Sequence, residues 1–241
     1  MPPRRLPELT LLWLLATLTA GAAPAVPDFA GEILQYRIRV GFVTAGEATI
    51  ATRPGDTPET VEILLTARSS GILSALYPIR DRITSRALRN DYRTLALHRR
   101  IREGKRRHHD RWAIDHRRGE AVEQRGVRAT IPAGVHDVLS VLWRLRSDRP
   151  APGDTLARAV FLGPATSTMT AVAGPLSEVD VPAGRFTCIP LYPSLRGAPR
   201  VDDDADVIVD CAQGPRRIPV RIRLRLPMIG RATVELVSNV P

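Results

Sequence analysis

Hydrophobic and polar residues alternate along most of the chain beyond residue 32, with the period of two that is typical of half-buried β-strands. The first such run is Ile33–Val40, in which every even-numbered position is apolar. Two further strands are predicted at Val43–Ala51 and Val61–Ala67, and residues 92–115 predict a hairpin. Later strand-like runs are Thr155–Leu162, Thr168–Ala173, Glu178–Val181, Arg185–Tyr192, Asp206–Cys211, Arg217–Leu226 and Arg231–Val237.

One segment has the spacing of a helix instead. In residues Val135 to Arg146, apolar side chains recur every three to four positions, which predicts a short amphipathic helix. Asp137 falls in its first turn, where a negative charge is favourable to the helix dipole. Residues 71–84 remain undecided between helix and strand, because Pro78 argues against one continuous element there.

Many short strands with one helix near the middle of the chain predict an all-β fold. We expect a curved antiparallel sheet that forms an open or nearly closed barrel, with the helix on its concave side or at its mouth. Composition agrees, since aromatic residues are only 5% and there are 21 prolines and 17 glycines, as expected for many turns. No linker or repeat divides residues 26–241, which we interpret as a single β-rich domain.

The hairpin at residues 92–115 is predicted to turn at Glu103 and Gly104, so that paired positions sum to 207. One face of this hairpin is largely apolar and is expected to meet the core: Leu95, Leu97, Ile101, Trp112 and Ile114. The opposite face carries what we call the basic stripe: His98, Arg100, Arg102, Lys105, Arg107, His109 and Arg111. In this register Arg100 faces Arg107.

The basic stripe holds much of the charge of the chain. The formal net charge is +10, and residues 98–118 contain nine Lys and Arg against three acids. Like charges opposed across strands destabilise a hairpin, so we expect an anionic partner to relieve them. Guanidinium groups suit phosphate-bearing envelope lipid, lipopolysaccharide or another acidic polymer. The alternative is a solvated strand face without a partner.

The first 25 residues have the pattern of a secretory signal peptide. Arg4 and Arg5 precede an apolar stretch from Leu9 to Ala20, and small residues follow up to Ala25. We expect cleavage after Ala25 and export to the bacterial periplasm, where peripheral contact with the membrane remains open. Export also makes nucleic acid a poor candidate partner despite the basic charge. The oligomeric state is not determined by these patterns.

The two cysteines, Cys188 and Cys211, both lie in the part expected to be exported. An even pair of cysteines in an oxidising compartment predicts one disulfide. The alternative is two buried free thiols, and no Cys-x-x-Cys redox motif is present.

The titratable residues form no pattern that predicts a catalytic or metal-binding site. Four of the five histidines lie between positions 98 and 116, but their neighbours are arginines, which repel a cation, so no metal site is predicted. His136, Asp137 and Ser140 are close in sequence, yet adjacent helical positions point about 100° apart and do not form a proton relay. We therefore predict no catalytic residues and no cofactor.

Four segments in their order along the chain resemble an exported bacterial family, domain of unknown function 3108. They are LQYRIRVGFVTAGEATI at 34–50, VHDVLSVLWRLRS at 135–147, VDVPAGRFTCIPLYP at 179–193 and PVRIRLRLPMIGRATVEL at 219–236. The resemblance implies a signal peptide, an all-β body and a D-x-x-S-x-x-x-x-x-R helix, here Asp137, Ser140 and Arg146. It implies no catalytic residue set.

Together these features favour a non-enzymatic periplasmic protein that binds or carries an amphipathic envelope ligand, either a lipid or an anionic polymer. The basic stripe would meet its anionic head group. A structural envelope protein with a filled core is the second interpretation, and an exported hydrolase is the third. A cavity lined by Leu, Val and Ile would favour the first interpretation over the second.

Overall fold

The computed structural model describes residues 28–195, 206–226 and 230–240, which form fifteen strands and two helices. The predicted signal peptide lies outside these residues. The helices are α1 (Gly71–Leu76) and α2 (Ser140–Asp148). The strands are β1 (Ile33–Val40), β2 (Val43–Pro54), β3 (Thr60–Ser69), β4 (Arg80–Leu88), β5 (Thr94–Glu103), β6 (Arg106–Asp115), β7 (Glu120–Glu123), β8 (Arg128–Thr130), β9 (Thr155–Phe161), β10 (Thr166–Ala173), β11 (Ser177–Val181), β12 (Gly184–Ser194), β13 (Val207–Ala212), β14 (Pro219–Leu226) and β15 (Gly230–Val240).

The strands form one antiparallel sheet that confirms the predicted fold class. Its order is β8-β7-β6-β5-β4-β3-β2-β1-β15-β14-β13-β12-β10-β9, with β11 paired to β12 beside this path. The first and last strands therefore lie together at the centre of the sheet, where Ile38 is opposite Val234. β8 and β9 are the ends of the path and are not paired with each other, so the barrel is not closed.

A short extended segment, residues 135 and 136, connects the two halves of the open sheet. Thr94 at the start of β5 donates its backbone N–H to the carbonyl oxygen of Val135 over 3.1 Å. His136, which follows Val135, donates its backbone N–H to the carbonyl oxygen of Ala159. Its own carbonyl oxygen accepts the N–H of Phe161, and both partners lie in β9. Residues 135 and 136 thus link two distant strands of the sheet through backbone hydrogen bonds.

This link corrects the predicted start of the helix. The spacing predicted a helix over Val135–Arg146, whereas α2 covers Ser140–Asp148. The first residues of the predicted helix are extended because their backbone groups bond to the sheet, a tertiary contact that helical spacing does not reveal. The undecided segment at 71–84 divides at Pro78 into α1 and the start of β4.

The β5–β6 hairpin has the predicted faces and a different register. Paired positions sum to 209, so Arg102 is opposite Arg107 and Arg100 is opposite His109. The turn lies at Gly104 and Lys105, and Gly104 has a φ of 53°, the left-handed region that glycine adopts readily. Because the shift is by two residues, each side chain keeps its face. The core-facing prediction is confirmed for Leu97, Trp112 and Ile114, which are buried, whereas Leu95 and Ile101 are only half-buried.

The predicted disulfide between Cys188 and Cys211 is absent, and both cysteines are free, buried thiols. In the β12–β13 ladder, Cys188 is opposite Ala212 and Cys211 is opposite Ile189. Successive positions of a strand point to opposite faces of the sheet, so the two sulfurs project in opposite directions. The disulfide was predicted from the oxidising compartment alone, which carries no information about this register.

Helix α2 lies inside the curve of the sheet. Trp143 packs in a cluster with Leu34 and Tyr36 of β1, on one half of the sheet. Leu145 packs with Ile189 of β12 and other residues of the opposite half. The helix therefore contacts both halves of the sheet from the concave side, as expected.

Candidate functional site

A cavity of about 830 Å³ lies between α2 and the concave face of the sheet. Its volume falls within the range of 300–1,000 Å³ that is usual for small-molecule sites. The lining is almost wholly apolar: Tyr36, Ile38, Ala48, Ile50, Leu65, Ala67, Ile83, Val138, Leu139, Val141, Leu142, Leu145, Val160, Met169, Pro193, Ser194, Leu195, Asp206, Val207, Val209, Ile222, Leu224 and Val234. The sequence analysis expected such a cavity in a ligand-binding protein and a filled core in a structural protein, and the structure contains the cavity.

Strand alternation and small side chains create this space. Alternate positions of β1, β2, β3 and β14 face inwards, so each contributes pairs such as Ile222 and Leu224. Ala48 in β2 and Ala67 in β3 are directly opposite each other in the ladder. Two adjacent alanines leave the volume that larger side chains would fill, and α2 lies on the other side of the gap.

The cavity reaches solvent at one end of the barrel. Leu195, just after β12, lines the cavity and is 40% exposed. Ser194 and Asp206, at the end of β12 and just before β13, supply polar groups at this mouth. Asp206 lies 4.0 Å from the guanidinium of Arg225. The apolar interior and the polar mouth suit an amphipathic molecule.

Deeper in the cavity, Tyr36 presents its ring but not a free hydroxyl. The Tyr36 Oη donates a hydrogen bond of 2.8 Å to the backbone carbonyl oxygen of Pro219. Burial raises the pKa of Tyr36 well above its ordinary value, so the hydroxyl stays neutral. Tyr36 therefore contributes only its aromatic ring to the cavity wall.

Asp137, the first residue of the helix motif, is a fully buried anchor. Its Oδ1 accepts backbone N–H groups of Leu139 and Ser140 over 2.7 and 3.1 Å, which caps the start of the helical segment. Its Oδ2 accepts the hydroxyls of Ser85 in β4 and Thr94 in β5. Asp137 thus fixes the helix to the sheet, a closer role than the dipole interaction predicted from sequence.

Arg146, the last residue of the motif, anchors the other end of α2. Its Nη1 and Nη2 donate to the two carboxylate oxygens of Glu32 over 2.8 and 2.9 Å, and both side chains are completely buried. The guanidinium also donates to the carbonyl oxygens of Arg216 and Arg217 and lies 3.9 Å from the ring centre of Phe29. The motif residues therefore position α2 above the cavity and do not line it.

The His136 side chain has a hydrogen-bond partner separate from those of Asp137 and Ser140. The His136 Nε2 lies 3.1 Å from the carbonyl oxygen of Asp91, away from the serine. Burial lowers the pKa of His136 below its ordinary value. The Ser140 hydroxyl is bonded to the Thr94 hydroxyl at 2.8 Å.

The basic stripe lies on the outer face of the β5–β6 hairpin. Lys105 is in the turn, and the arginines of the stripe are exposed. The Nε2 atoms of His98 and His109 are 2.9 Å apart, and burial followed by the charge of Arg111 lowers the pKa of His98. None of the stripe residues lines the cavity. The stripe and the cavity are therefore separate features, and the expected contact between the stripe and an anionic head group stays a prediction.

Arg99 and Asp110 form a charged cluster on the inner face of the same hairpin, where the sequence predicted a largely apolar surface. Asp110 Oδ1 accepts the Nε–H of Arg99 over 3.0 Å, and Asp110 Oδ2 accepts the indole N–H of Trp112 over 2.8 Å. Burial would raise the pKa of Asp110, but these hydrogen bonds lower it to about 2. Arg99 also donates to the carbonyl oxygen of Leu162 beyond β9, so the cluster ties the hairpin to the far edge of the sheet.

Within residues 28–195, 206–226 and 230–240, no group of three or more His, Cys, Asp or Glu is arranged to hold a metal ion. Neither helix in that part of the chain is long and apolar enough to cross a membrane.

The fold and the cavity define a barrel-like antiparallel β-protein with an internal apolar space. Residues 35–237 match the family described as protein of unknown function DUF3108, and the chain belongs to that family. No curated protein sequence matches significantly.

One solved structure of another family shares the fold, and two others are more weakly similar. A β-barrel-like protein of domain of unknown function DUF1849 from Brucella abortus is similar with a TM-score of 0.56 and 9% identity, over 88% of this chain and 98% of that chain. A DUF1089 family protein from Pseudomonas aeruginosa has a TM-score of 0.40 and 12% identity, over 72% and 87%. A Bacteroides fragilis protein with a YmcC-like fold has a TM-score of 0.38 and 10% identity, over 90% and 99%. At 9% identity the Brucella likeness concerns the fold alone.

Proposed function

We propose that the mature protein is a non-enzymatic periplasmic protein that binds or carries a lipid-like, amphipathic molecule in the cavity beneath α2. The observation that carries this proposal is the apolar lining of a space of about 830 Å³. The periplasmic location rests on the signal-like sequence of residues 1–25.

The lining favours an acyl chain or a similar apolar group over a sugar or a nucleotide. Sites for polar ligands carry several convergent hydrogen-bonding side chains, whereas the polar side chains of this lining are Tyr36, Ser194 and Asp206. The Tyr36 hydroxyl is already engaged with Pro219. The polar end of the ligand would lie at the mouth, beside Ser194 and Asp206.

An anionic polymer fits the cavity poorly, because a charged chain would lose its hydration in an apolar space without gaining ion pairs. The basic stripe faces outwards and is separate from the cavity. A lipid-like ligand is thus favoured over the polymer within the same proposal.

The proposal is tested by filling the cavity. Ala67→Trp projects an indole from β3 into the space, opposite Ala48. The matched control is Thr66→Trp, one position earlier on the same strand, whose side chain points to the other face. N-phenylnaphthylamine, an apolar fluorescent dye, reports occupancy, and unlabelled phosphatidylglycerol competes with it.

We expect the unmodified protein and Thr66→Trp to bind the dye with equal affinity, and Ala67→Trp to bind it at least tenfold more weakly. Phosphatidylglycerol should displace the dye. Equal binding by Ala67→Trp and Thr66→Trp, in proteins with the same unfolding midpoint, would refute ligand binding in this cavity. Failure to bind either probe would favour the structural interpretation.

A further inference from the structure

One rim of the barrel combines exposed apolar side chains with unpaired arginines. Because the strands alternate in direction, this rim gathers the β1–β2 turn, the segment 70–79 between β3 and β4, and the β5–β6 turn. The end of β12 and the start of β13, which border the cavity mouth, lie at the same rim. We call this end of the molecule the open rim.

Backbone contacts hold the parts of the open rim together. Ser70 donates its N–H to the carbonyl oxygen of Ala45 in β2 over 2.9 Å. Gly104 in the β5–β6 turn donates to the carbonyl oxygen of Pro78 over 2.9 Å. A Cβ at Gly104 would lie 2.8 Å from the ring of Tyr77, so the absence of a side chain lets Tyr77 pack on the turn. These turns form a continuous surface.

Large apolar side chains project from this surface. Phe42, at the tip of the β1–β2 turn, is 98% exposed, and Val43 beside it is 60% exposed. Tyr77 is partly exposed on the neighbouring segment. An aromatic side chain held at a turn with almost no contacts is costly in water and favourable at the interface of a bilayer.

The same rim is strongly basic. Positions 39–47, 68–82 and 100–107 contain nine Arg and Lys against three acidic residues, and Asp206 at the cavity mouth adds a fourth. Three cross-strand pairs set arginine against arginine: Arg68 with Arg80, Arg82 with Arg100, and Arg102 with Arg107.

Few local carboxylates relieve these arginine pairs. Among the described residues, Arg68 pairs with Glu47, while the side chains of Arg82, Arg100 and Arg102 form no salt bridge. Opposed like charges destabilise a sheet, and bound phosphates would relieve them through paired N–H···O contacts. The half of the basic stripe that is nearest the β5–β6 turn, with Arg102, Lys105 and Arg107, is thus part of the open rim.

We propose that the open rim docks on an anionic phospholipid surface, with Phe42 inserted at the interface and the arginines on the lipid phosphates. Apolar tips and basic neighbours act together in such surfaces, since each basic residue near anionic lipid adds to the affinity. Docking would bring the cavity mouth to the membrane. This inference stands on the rim itself and does not require that the cavity hold a lipid.

The test is co-sedimentation of the mature protein with vesicles of phosphatidylcholine and phosphatidylglycerol, and with vesicles of phosphatidylcholine alone. Phe42→Ser removes the apolar tip, and its control is Leu176→Ser, a 50% exposed leucine between β10 and β11, outside the turns that form the open rim. Arg82→Glu reverses a charge at the rim. Its control is Arg53→Glu, near the end of β2 that is farthest from the β1–β2 turn.

We expect binding only to vesicles that contain phosphatidylglycerol, and a loss of about tenfold or more for Phe42→Ser and for Arg82→Glu. Leu176→Ser and Arg53→Glu should bind like the unmodified protein. No binding, equal binding to both kinds of vesicle, or equal loss in the controls would overturn the docking proposal.

The cavity variant separates this inference from the proposed function. Ala67→Trp should leave vesicle binding unchanged while it blocks the dye. If vesicle binding fails and the dye still binds in the cavity, docking is wrong and ligand binding stands; the converse result refutes ligand binding alone.

Discussion

The buried pair of Arg146 and Glu32 gives a sharp prediction about what holds α2 over the cavity. Arg146→Met keeps most of the side-chain volume but leaves the Glu32 carboxylate buried without its two hydrogen bonds of 2.8 and 2.9 Å. Arg216, whose Nη1 lies 3.7 Å from Glu32, offsets part of the lost charge and is 37% exposed. The helix would then lose its tie to the residues before β1.

Breaking a fully buried ion pair by removing one partner costs about 3–5 kcal/mol of unfolding free energy. With a urea dependence of about 2 kcal/mol per molar, this shifts the unfolding midpoint down by about 2 M. The assay is urea unfolding followed by the fluorescence of Trp112 and Trp143, both of which are buried. The matched control is Arg185→Met, which removes an exposed pair with Asp180 and should cost less than about 1 kcal/mol.

The double variant Glu32→Gln/Arg146→Met isolates the interaction. Once the lone carboxylate is neutral, the double variant should be more stable than Arg146→Met alone by at least about 1 kcal/mol. A loss below about 1 kcal/mol for Arg146→Met, or a double variant no more stable than that single one, would refute the account of this pair.

Three further predictions concern buried polar groups. Asp137→Ala should lower the unfolding free energy by about 2–4 kcal/mol, measured in urea, because it removes a helix cap and leaves buried hydroxyls without an acceptor. The folded pKa of Asp110, about 2, lies below its ordinary value, so its contribution is present above about pH 4 and is lost as pH falls towards 2; Asp110→Asn should flatten that acid-dependent loss. Burial raises the pKa of both Cys188 and Cys211 to about 12, so maleimide should modify them only in urea, and labelling of the folded protein would contradict their burial.

The sequence predicted most of the strands because the period of two is a local signal, but it did not predict β4, β7 or β8. Ile33–Val40 was predicted with the same bounds as β1, and the inward face of the β5–β6 hairpin was assigned correctly. Register was harder, since a shift of two residues leaves every side chain on its face and alternation cannot distinguish the two pairings. The predicted disulfide between Cys188 and Cys211 is wrong for a similar reason, because the sequence does not show which positions of β12 and β13 are opposite each other.

The site depended on contacts that no local pattern shows. Helical spacing from Val135 did not reveal that the first residues bond to β5 and β9. The cavity needs Ala48 and Ala67 to meet across two strands, and Phe42 stands out only once the β1–β2 turn is seen to be exposed. The basic stripe was found from sequence because its residues share one hairpin face, although that face points away from the cavity.

Native mass spectrometry of the protein, purified gently from its source cells, tests the central claim most directly. We expect an adduct with the mass of a lipid-like molecule at one copy per chain, lost under denaturing conditions and absent from Ala67→Trp, while Thr66→Trp retains it. Bare chains in repeated preparations, or an adduct that Ala67→Trp retains in full, would contradict a ligand in this cavity.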